Sequence, residues 1–196
     1  MKPKYKRILL KISGESLAGD KRHGFSSSAL AATAKQIATL NKAGVEVGIV
    51  VGGGNFWRGR EGDEMDRTSA DYMGMLATVI NALALSDALD RQGVDNRVMT
   101  ALAIDKIGEP YNVKTAKRYL SEGKVVVFGG GTGSPFFTTD TGASLKACEI
   151  QAEVLLLAKN IDGIYDSAPK TNPNAKKFDT LTYDEYVEKG LRALDT

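Results

Sequence analysis

Val45-Glu46-Val47-Gly48-Ile49-Val50-Val51 runs without a break into Gly52-Gly53-Gly54-Asn55. A near-continuous, β-branched apolar run of this length reads as a strand buried on both faces, not one that alternates between core and water. The same strand-then-glycine pattern recurs outward in both directions. Residues 5–13 read as a first strand ending at Gly14, and residues 124–128 as a strand running into Gly129-Gly130-Gly131-Thr132-Gly133. Helical segments lie between. Residues 26–43 offer serine N-caps, apolar positions at Leu30, Ala34, Ile37, Ala38 and Leu40, and a glycine stop at Gly44. Residues 68–92 form a long helix closed by Gly93; its middle, Met73 to Leu85, is apolar nearly all round and should be buried on several sides. Residues 96–101 and 154–158 add strands, and residues 113–122, 139–151 and 183–189 add helices. This alternation predicts a three-layer α/β/α sandwich with a mostly parallel central sheet. With no internal repeat, low-complexity tract or linker, residues 1–196 read as one domain.

The bulk composition narrows the function classes. The 196 residues are 42% hydrophobic, enough for a sizeable core, and the net charge of +2 exerts no global pull on nucleic acid or an anionic membrane. Any phosphate site must therefore be local. Cys148 is the single cysteine, so no intrachain disulfide forms, and its setting in a predicted helix reads as a buried structural thiol. His23 is the single histidine, which removes multi-histidine zinc sites and makes no case for a Ser-His-Asp triad. Lys2, Lys4, Lys6 and Arg7 precede only Ile8-Leu9-Leu10 before Lys11, too short an apolar run for a signal peptide. No segment is expected to span a membrane, and a cytoplasmic location is the expectation.

In a parallel sheet covered by helices, ligands bind outside the carboxyl ends of the strands. The glycine-rich turns after Ser13, Val51 and Phe128 should converge there. Glycines let successive backbone N–H groups aim at one point and let a phosphate come close. Arg58 and Arg60 follow the second turn as a local positive pair. Two such turns suit two phosphate-bearing ligands, as a nucleotide-dependent kinase requires. The chain contains no G-x-x-x-x-G-K-[ST], and no G-x-G-x-x-G opens a helix, so the phosphates are held in some other way. Lys11, near the end of the first strand, sits where an ammonium can neutralise a transferring phosphoryl group. Asp71 has two readings of equal weight, an acceptor for paired ribose hydroxyls or a charge favouring a helix N-terminus. Thr132-Gly133-Ser134-Pro135-Phe136-Phe137-Thr138-Thr139-Asp140 alternates hydroxyls and amides with two aromatics. It suits a wall around a base and ribose phosphate, the bland alternative being a capped helix start with both phenylalanines in the core. Asp162-Gly163-Ile164-Tyr165-Asp166 reads as a turn whose tyrosine could stack on a purine.

Taken together, KRILLKISGESL, VVGGGNFWRG, RTSADYMGMLAT, GGGTGSPFFTTD, NIDGIYD and KTNPNAKKFDTLTYDEY resemble, in order from Tyr5 to Asp195, the bacterial UMP kinase (uridylate kinase) branch of the amino acid kinase family. PFFTTD and DYMGMLATVINALAL favour this branch over relatives acting on aspartate, glutamate, acetylglutamate or carbamate. The resemblance implies reversible transfer of the γ-phosphoryl group of ATP to UMP, giving UDP and ADP, in pyrimidine nucleotide (CTP and UTP) biosynthesis. It implies that Lys11, Ile12, Ser13 and Gly14 touch the ATP phosphates, with Gly54 and Arg58 also serving ATP. Gly53, Asp71 and the run Thr132, Gly133, Ser134, Pro135, Phe136, Phe137, Thr138 and Thr139 would hold UMP. Lys11, Arg58 and Asp140 would carry the catalytic step, and Asn160, Tyr165 and Ala168 would line the adenine side. The family works with Mg²⁺, for which no dedicated protein ligand is assigned here, is cytoplasmic, needs neither nucleic acid nor membrane, forms homohexamers, and is activated by GTP and inhibited by UTP.

The chain departs from the family at three places. Asp166-Ser167-Ala168-Pro169 stands where Asp-x-Asp-Pro is usual, and Lys21-Arg22-His23-Gly24 where the loop usually carries Gly-Phe-Gly. The chain also ends at Thr196, where family members continue through a last helix and further strands. The expected chemistry is direct in-line transfer without a phospho-enzyme, since neither His23 nor Cys148 sits as a nucleophile. Two rivals remain open on this reading: a kinase for a carboxylate or carbamate, and a catalytically impaired nucleotide-binding member of the family.

Overall fold

The computed structural model describes residues 2–21, 23–57, 65–158 and 161–191. Two compact units form, Met1–Ala158 and Lys159–Thr196.

In the first unit the chain runs β1 (Arg7–Ile12), α1 (Gly14–Ala18), α2 (Ser27–Lys42), β2 (Glu46–Val51), α3 (Arg67–Asp90), β3 (Asn96–Thr100), β4 (Glu109–Pro110), α4 (Val113–Ser121), β5 (Val125–Gly129), α5 (Thr139–Glu149) and β6 (Val154–Ala158). The described strands form one sheet in the order β4-β3-β5-β2-β1-β6, and every pairing is parallel. All six β2 residues are buried, as their unbroken apolar run requires. Alternate side chains feed two cores. Ile8, Ile12, Val47, Ile49, Val51, Val125 and Val127 pack with Ile37 of α2 and Leu85 of α3. Leu9, Val50, Val126 and Phe128 pack on the other face with Leu120 of α4 and Ala143 of α5. This is the expected three-layer α/β/α arrangement, with helices on both faces.

Most boundaries follow local chemistry. Ser26 caps α2 through the Ala29 N–H, Thr138 caps α5 through the Thr141 N–H, and Gly44 closes the first of these helices at φ +84°. Two short elements are additional to the expected ones. α1 begins directly at Gly14, with Ser13 as its N-cap, and two-residue β4 pairs with β3 at the sheet edge. The reading of α3 needs correction. Asp66 is its N-cap, and although Met75, Ala77, Val79, Ala82 and Leu85 are buried as expected, one apolar stripe, Tyr72, Met73, Leu76, Ile80 and Leu83, is exposed. By length and composition α3 also passes for a membrane span, contrary to expectation, but half of that window is buried within the fold. Cys148 is corrected as well. It is exposed on α5, on the side of the helix away from Ala143 and Lys146.

The second unit carries an isolated antiparallel bridge between Tyr165 and Lys177 and the short helix α6 (Tyr183–Glu188). A reciprocal capping box between Thr182 and Glu185 opens α6, and these hydrogen bonds hold the Glu185 carboxyl below its ordinary range.

Candidate active site

β5, β2 and β1 are neighbours in the sheet, and their carboxyl ends carry the three glycine-rich turns. The connection from β5 to β6 crosses the sheet in one direction, while those leaving β1 and β2 run in the other. That reversal opens a crevice at these strand ends.

The turns are packed into each other and onto α3. The Gly52 N–H donates to the Ile12 carbonyl at 2.8 Å, and a Cβ on Gly14 would stand 2.8 Å from the Gly52 carbonyl oxygen and 2.3 Å from Asn55 Oδ1. Only glycine fits at position 14. A Cβ on Gly53 would stand 2.8 Å from the Gly74 carbonyl oxygen of α3, so this turn needs glycine for close approach to the helix. Gly131 lies against Met75, one residue further along the same helix, and Gly129 against Val79. The turns after Val51 and Phe128 therefore flank a single stretch of α3. Gly131 and Thr132 also face Gly142 of α5.

Lys11 is not a solvated surface lysine. It is buried, and its Nζ lies 2.7 Å from Oδ1 of buried Asp140 in the first turn of α5. An ammonium has three donors, so pairing with Asp140 leaves capacity for phosphate oxygens. α5 is itself anchored further along: Lys146 Nζ lies 3.0 Å from Glu149 and 3.7 Å from the Tyr111 ring centroid, while the Tyr111 hydroxyl donates to Glu149 at 2.6 Å. Burial, followed by the Glu149 carboxylate, pushes the Tyr111 phenol well above the ordinary tyrosine range. The rotation of α5 that aims Asp140 at Lys11 is thereby fixed at both ends.

The 132–138 segment stands clear of the core. Phe136 and Phe137 are 66% and 59% exposed, which overturns their reading as core aromatics. Phe136 adopts φ +69°, a conformation costly for an aromatic residue, and its N–H donates to Asp71 Oδ2 at 2.8 Å. Asp71 also accepts from Arg67 Nε, whose guanidinium lies 5.6 Å from the Phe136 ring centroid. Asp71 therefore braces this segment from the second turn of α3, and the helix-cap role belongs to Asp66. Thr132 bonds Ser134 and Thr138 caps α5, so their hydroxyls shape the segment itself. Ser134 is exposed, while Gly133, Pro135 and Thr139 are half-buried.

Among the other expected residues, Ser13 caps α1, Gly54 is half-buried in its turn, and Ile12 points into the core, leaving only its backbone for a nucleotide. Arg58, Arg60 and Asn160 lie outside the described residues. In the second unit the Tyr165 hydroxyl donates to Asp162 at 2.8 Å, Lys177 donates to the same carboxylate at 2.9 Å, and exposed Ala168 offers its carbonyl to Thr171 and Asn172. The Lys177 hydrogen bond, then that of Tyr165, holds Asp162 below the usual carboxylate range.

Three residues were missed from sequence. Asn55 and Asn81 form a reciprocal amide pair at 3.0 and 2.7 Å, Asn81 donates to the Gly52 carbonyl at 2.6 Å, and Asn55 to the Gly24 carbonyl at 2.8 Å. Thr78 accepts from the Gly130 N–H at 2.8 Å. The available signal was a threonine and an asparagine inside an otherwise apolar helix.

The amino acid kinase family profile matches residues 6–196. Among solved structures, UMP kinase from Bacillus anthracis superposes with a TM-score of 0.94 at 39% identity, covering 97% of this chain and 80% of that one. UMP kinase from Ureaplasma parvum gives 0.92 at 38% identity over 98% of this chain and 83% of that one. Uridylate kinase from Archaeoglobus fulgidus gives 0.69 at 30% identity over 92% and 76%. With a parallel sheet, paired glycine turns and a family match over nearly the whole length, the chain belongs to the amino acid kinase family.

Proposed function

We propose that this chain transfers the γ-phosphoryl group of ATP to UMP, reversibly, giving UDP and ADP, and that residues 1–196 act as one amino acid kinase domain. The observation that carries the reading is the buried Lys11–Asp140 pair beside two glycine turns that share one stretch of α3. The likeness to two UMP kinases over almost the whole chain supports the choice of acceptor.

In this mechanism a phosphate oxygen of UMP attacks the γ-phosphorus in line, and the bond to the ADP oxygen breaks as the new one forms. Lys11 and Arg58 neutralise charge on the transferring oxygens, and Asp140 holds the Lys11 ammonium in place. Ile12, Ser13, Gly14 and Gly54 support the ATP phosphates through backbone groups. Gly53, Asp71 and the 132–139 segment hold UMP, with exposed Phe136 and Phe137 as the apolar wall. Asn160, Tyr165 and Ala168 serve the adenine. Among the described residues no group of three or more His, Cys, Asp and Glu could hold a metal. Mg²⁺ would arrive on the ATP phosphates with its own water shell, and among the described residues the single buried carboxylate at the crevice, Asp140, is held by Lys11 at 2.7 Å. When bound, Mg²⁺ would supply positive charge against the negative charge of the phosphates.

The remaining family expectations enter on the same footing: a cytoplasmic enzyme of pyrimidine nucleotide synthesis, activated by GTP and inhibited by UTP, working as a homohexamer. The exposed apolar stripe of α3 supports self-association with further copies of this chain. Incubation with MgATP and, separately, UMP, CMP, aspartate and acetylglutamate tests the acceptor. ADP release with UMP and formation of UDP is the expected result. Release with a carboxylate alone would overturn it.

A further inference from the structure

We propose that Thr78 and Asn81 are positioning residues for phosphoryl transfer, locking one peptide in each of the glycine turns after Val51 and Phe128 and so setting the spacing between the two nucleotide phosphates. The inference rests on the reading of the chain as a phosphotransferase.

A glycine-rich turn presents N–H groups well but restrains them poorly, because glycine has the widest choice of backbone conformations. Phosphoryl transfer, in contrast, needs donor and acceptor phosphates fixed to within a fraction of an ångström. Something must stiffen the turns. Asn81 donates to the Gly52 carbonyl at 2.6 Å. In a planar trans peptide the N–H points opposite to the carbonyl, and among the described residues no peptide is cis. Fixing Gly52 O toward Asn81 therefore fixes the Gly53 N–H in the opposite direction. The turn after Phe128 is held the same way from its other end. Thr78 Oγ1 accepts the Gly130 N–H at 2.8 Å, while the Gly129 carbonyl of the same peptide accepts from the Ala101 N–H at 3.0 Å. Both polar groups of that peptide are pinned, at opposite edges of its plane.

Thr78 and Asn81 are three residues apart on one helix face, about 4.5 Å along the axis at roughly 1.5 Å per residue. A helix cannot stretch without breaking its hydrogen bonds, so the two turns keep the separation of their anchors. Both residues are almost fully buried in a helix otherwise apolar at this level. Their partners outside α3 are backbone of these two glycine turns and Asn55, which directly follows Gly54. Asn55 is held in turn by Gly24 O and tightens the same turn.

The test uses the full chain and three variants, Thr78→Val, Thr78→Ser and Asn81→Leu. We would measure kcat at saturating MgATP and UMP, UMP affinity by calorimetry without ATP, and melting temperature. Thr78→Val and Asn81→Leu should each lower kcat at least tenfold with UMP affinity within threefold of the parent, and Thr78→Ser should restore kcat to within threefold. A Thr78→Val enzyme with parental kcat, or a Thr78→Ser enzyme as slow as Thr78→Val, would overturn the assignment, since a purely structural role moves the melting temperature alone. Should Thr78→Val fail to fold, Thr78→Cys, of like size and weaker as an acceptor, replaces it under the same two outcomes. A parent chain that forms no UDP from UMP would instead sink the phosphotransfer reading itself.

Discussion

Replacing Lys11 by methionine removes one ammonium while keeping an unbranched side chain of similar length. In the parent, Nζ and Asp140 Oδ1 are 2.7 Å apart and both side chains are over nine-tenths buried. Their gross attraction at an effective dielectric of ~20 is about 6 kcal/mol, set against a desolvation penalty of several kcal/mol for each ion. Lys11→Met leaves that desolvation cost on Asp140 with nothing to offset it, so breaking the pair should cost ~3–5 kcal/mol of stability. For a chain of this size the melting temperature should fall by about 6–20 °C. The double variant Lys11→Met/Asp140→Asn removes both charges and should recover most of that fall. Turnover behaves differently. Both variants lack the cation that meets the transferring group, so kcat should drop about 10²–10³-fold in each. Differential scanning fluorimetry and a coupled ADP-release assay read the two quantities separately. A single variant that melts within ~2 °C of the parent would refute the buried-pair argument. A double variant with restored turnover would refute the role of Lys11 in transfer.

Other outcomes follow from the same geometry. Gly14→Ala places a methyl against the Gly52 carbonyl and Asn55, so it should cost about 1–3 kcal/mol in chemical denaturation, and a neutral effect would contradict the packing. Asp71→Ala removes the carboxylate that holds the Phe136 N–H, and because hydrogen bonds to charged groups are worth about 1.5–3 kcal/mol, KM for UMP should rise roughly 10–100-fold. KM for ATP should stay nearly fixed; an equal rise in both would place Asp71 elsewhere in the mechanism. Asp162 is lowered chiefly by the Lys177 hydrogen bond and Asp166 by the Lys176 amide. Their folded values lie below the unfolded ones, so the stabilisation is complete above the ordinary carboxylate range near about pH 4 and fades as pH falls through the lowered values. Hydrogen exchange of the Lys176 amide, which donates to Asp166 at 2.9 Å, should lose protection in that window, and constant protection to the bottom of it would contradict the sign.

The sequence alone determined the alternation of strands and helices, because buried parallel strands must be apolar throughout and helix ends need caps and glycines. Val45 to Gly54 already carried a two-sided strand and its turn. It also marked Lys11 and the segment through Asp140 as chemically special by residue type. Side-chain direction was settled only by the tertiary structure. Phe136 and Phe137 are apolar, yet their burial depends on how Asp71 holds a left-handed backbone some sixty-five positions away in the chain. Cys148 and the outer stripe of α3 look buried by composition but face outward, because a helix packs on the sheet through one side only. The partnership of Lys11 with Asp140, and of Thr78 and Asn81 with the two glycine turns, joins segments far apart in sequence. Such contacts exist only when the sheet order brings β1, β2 and β5 together, and strand order is a property of the folded chain that no local pattern encodes.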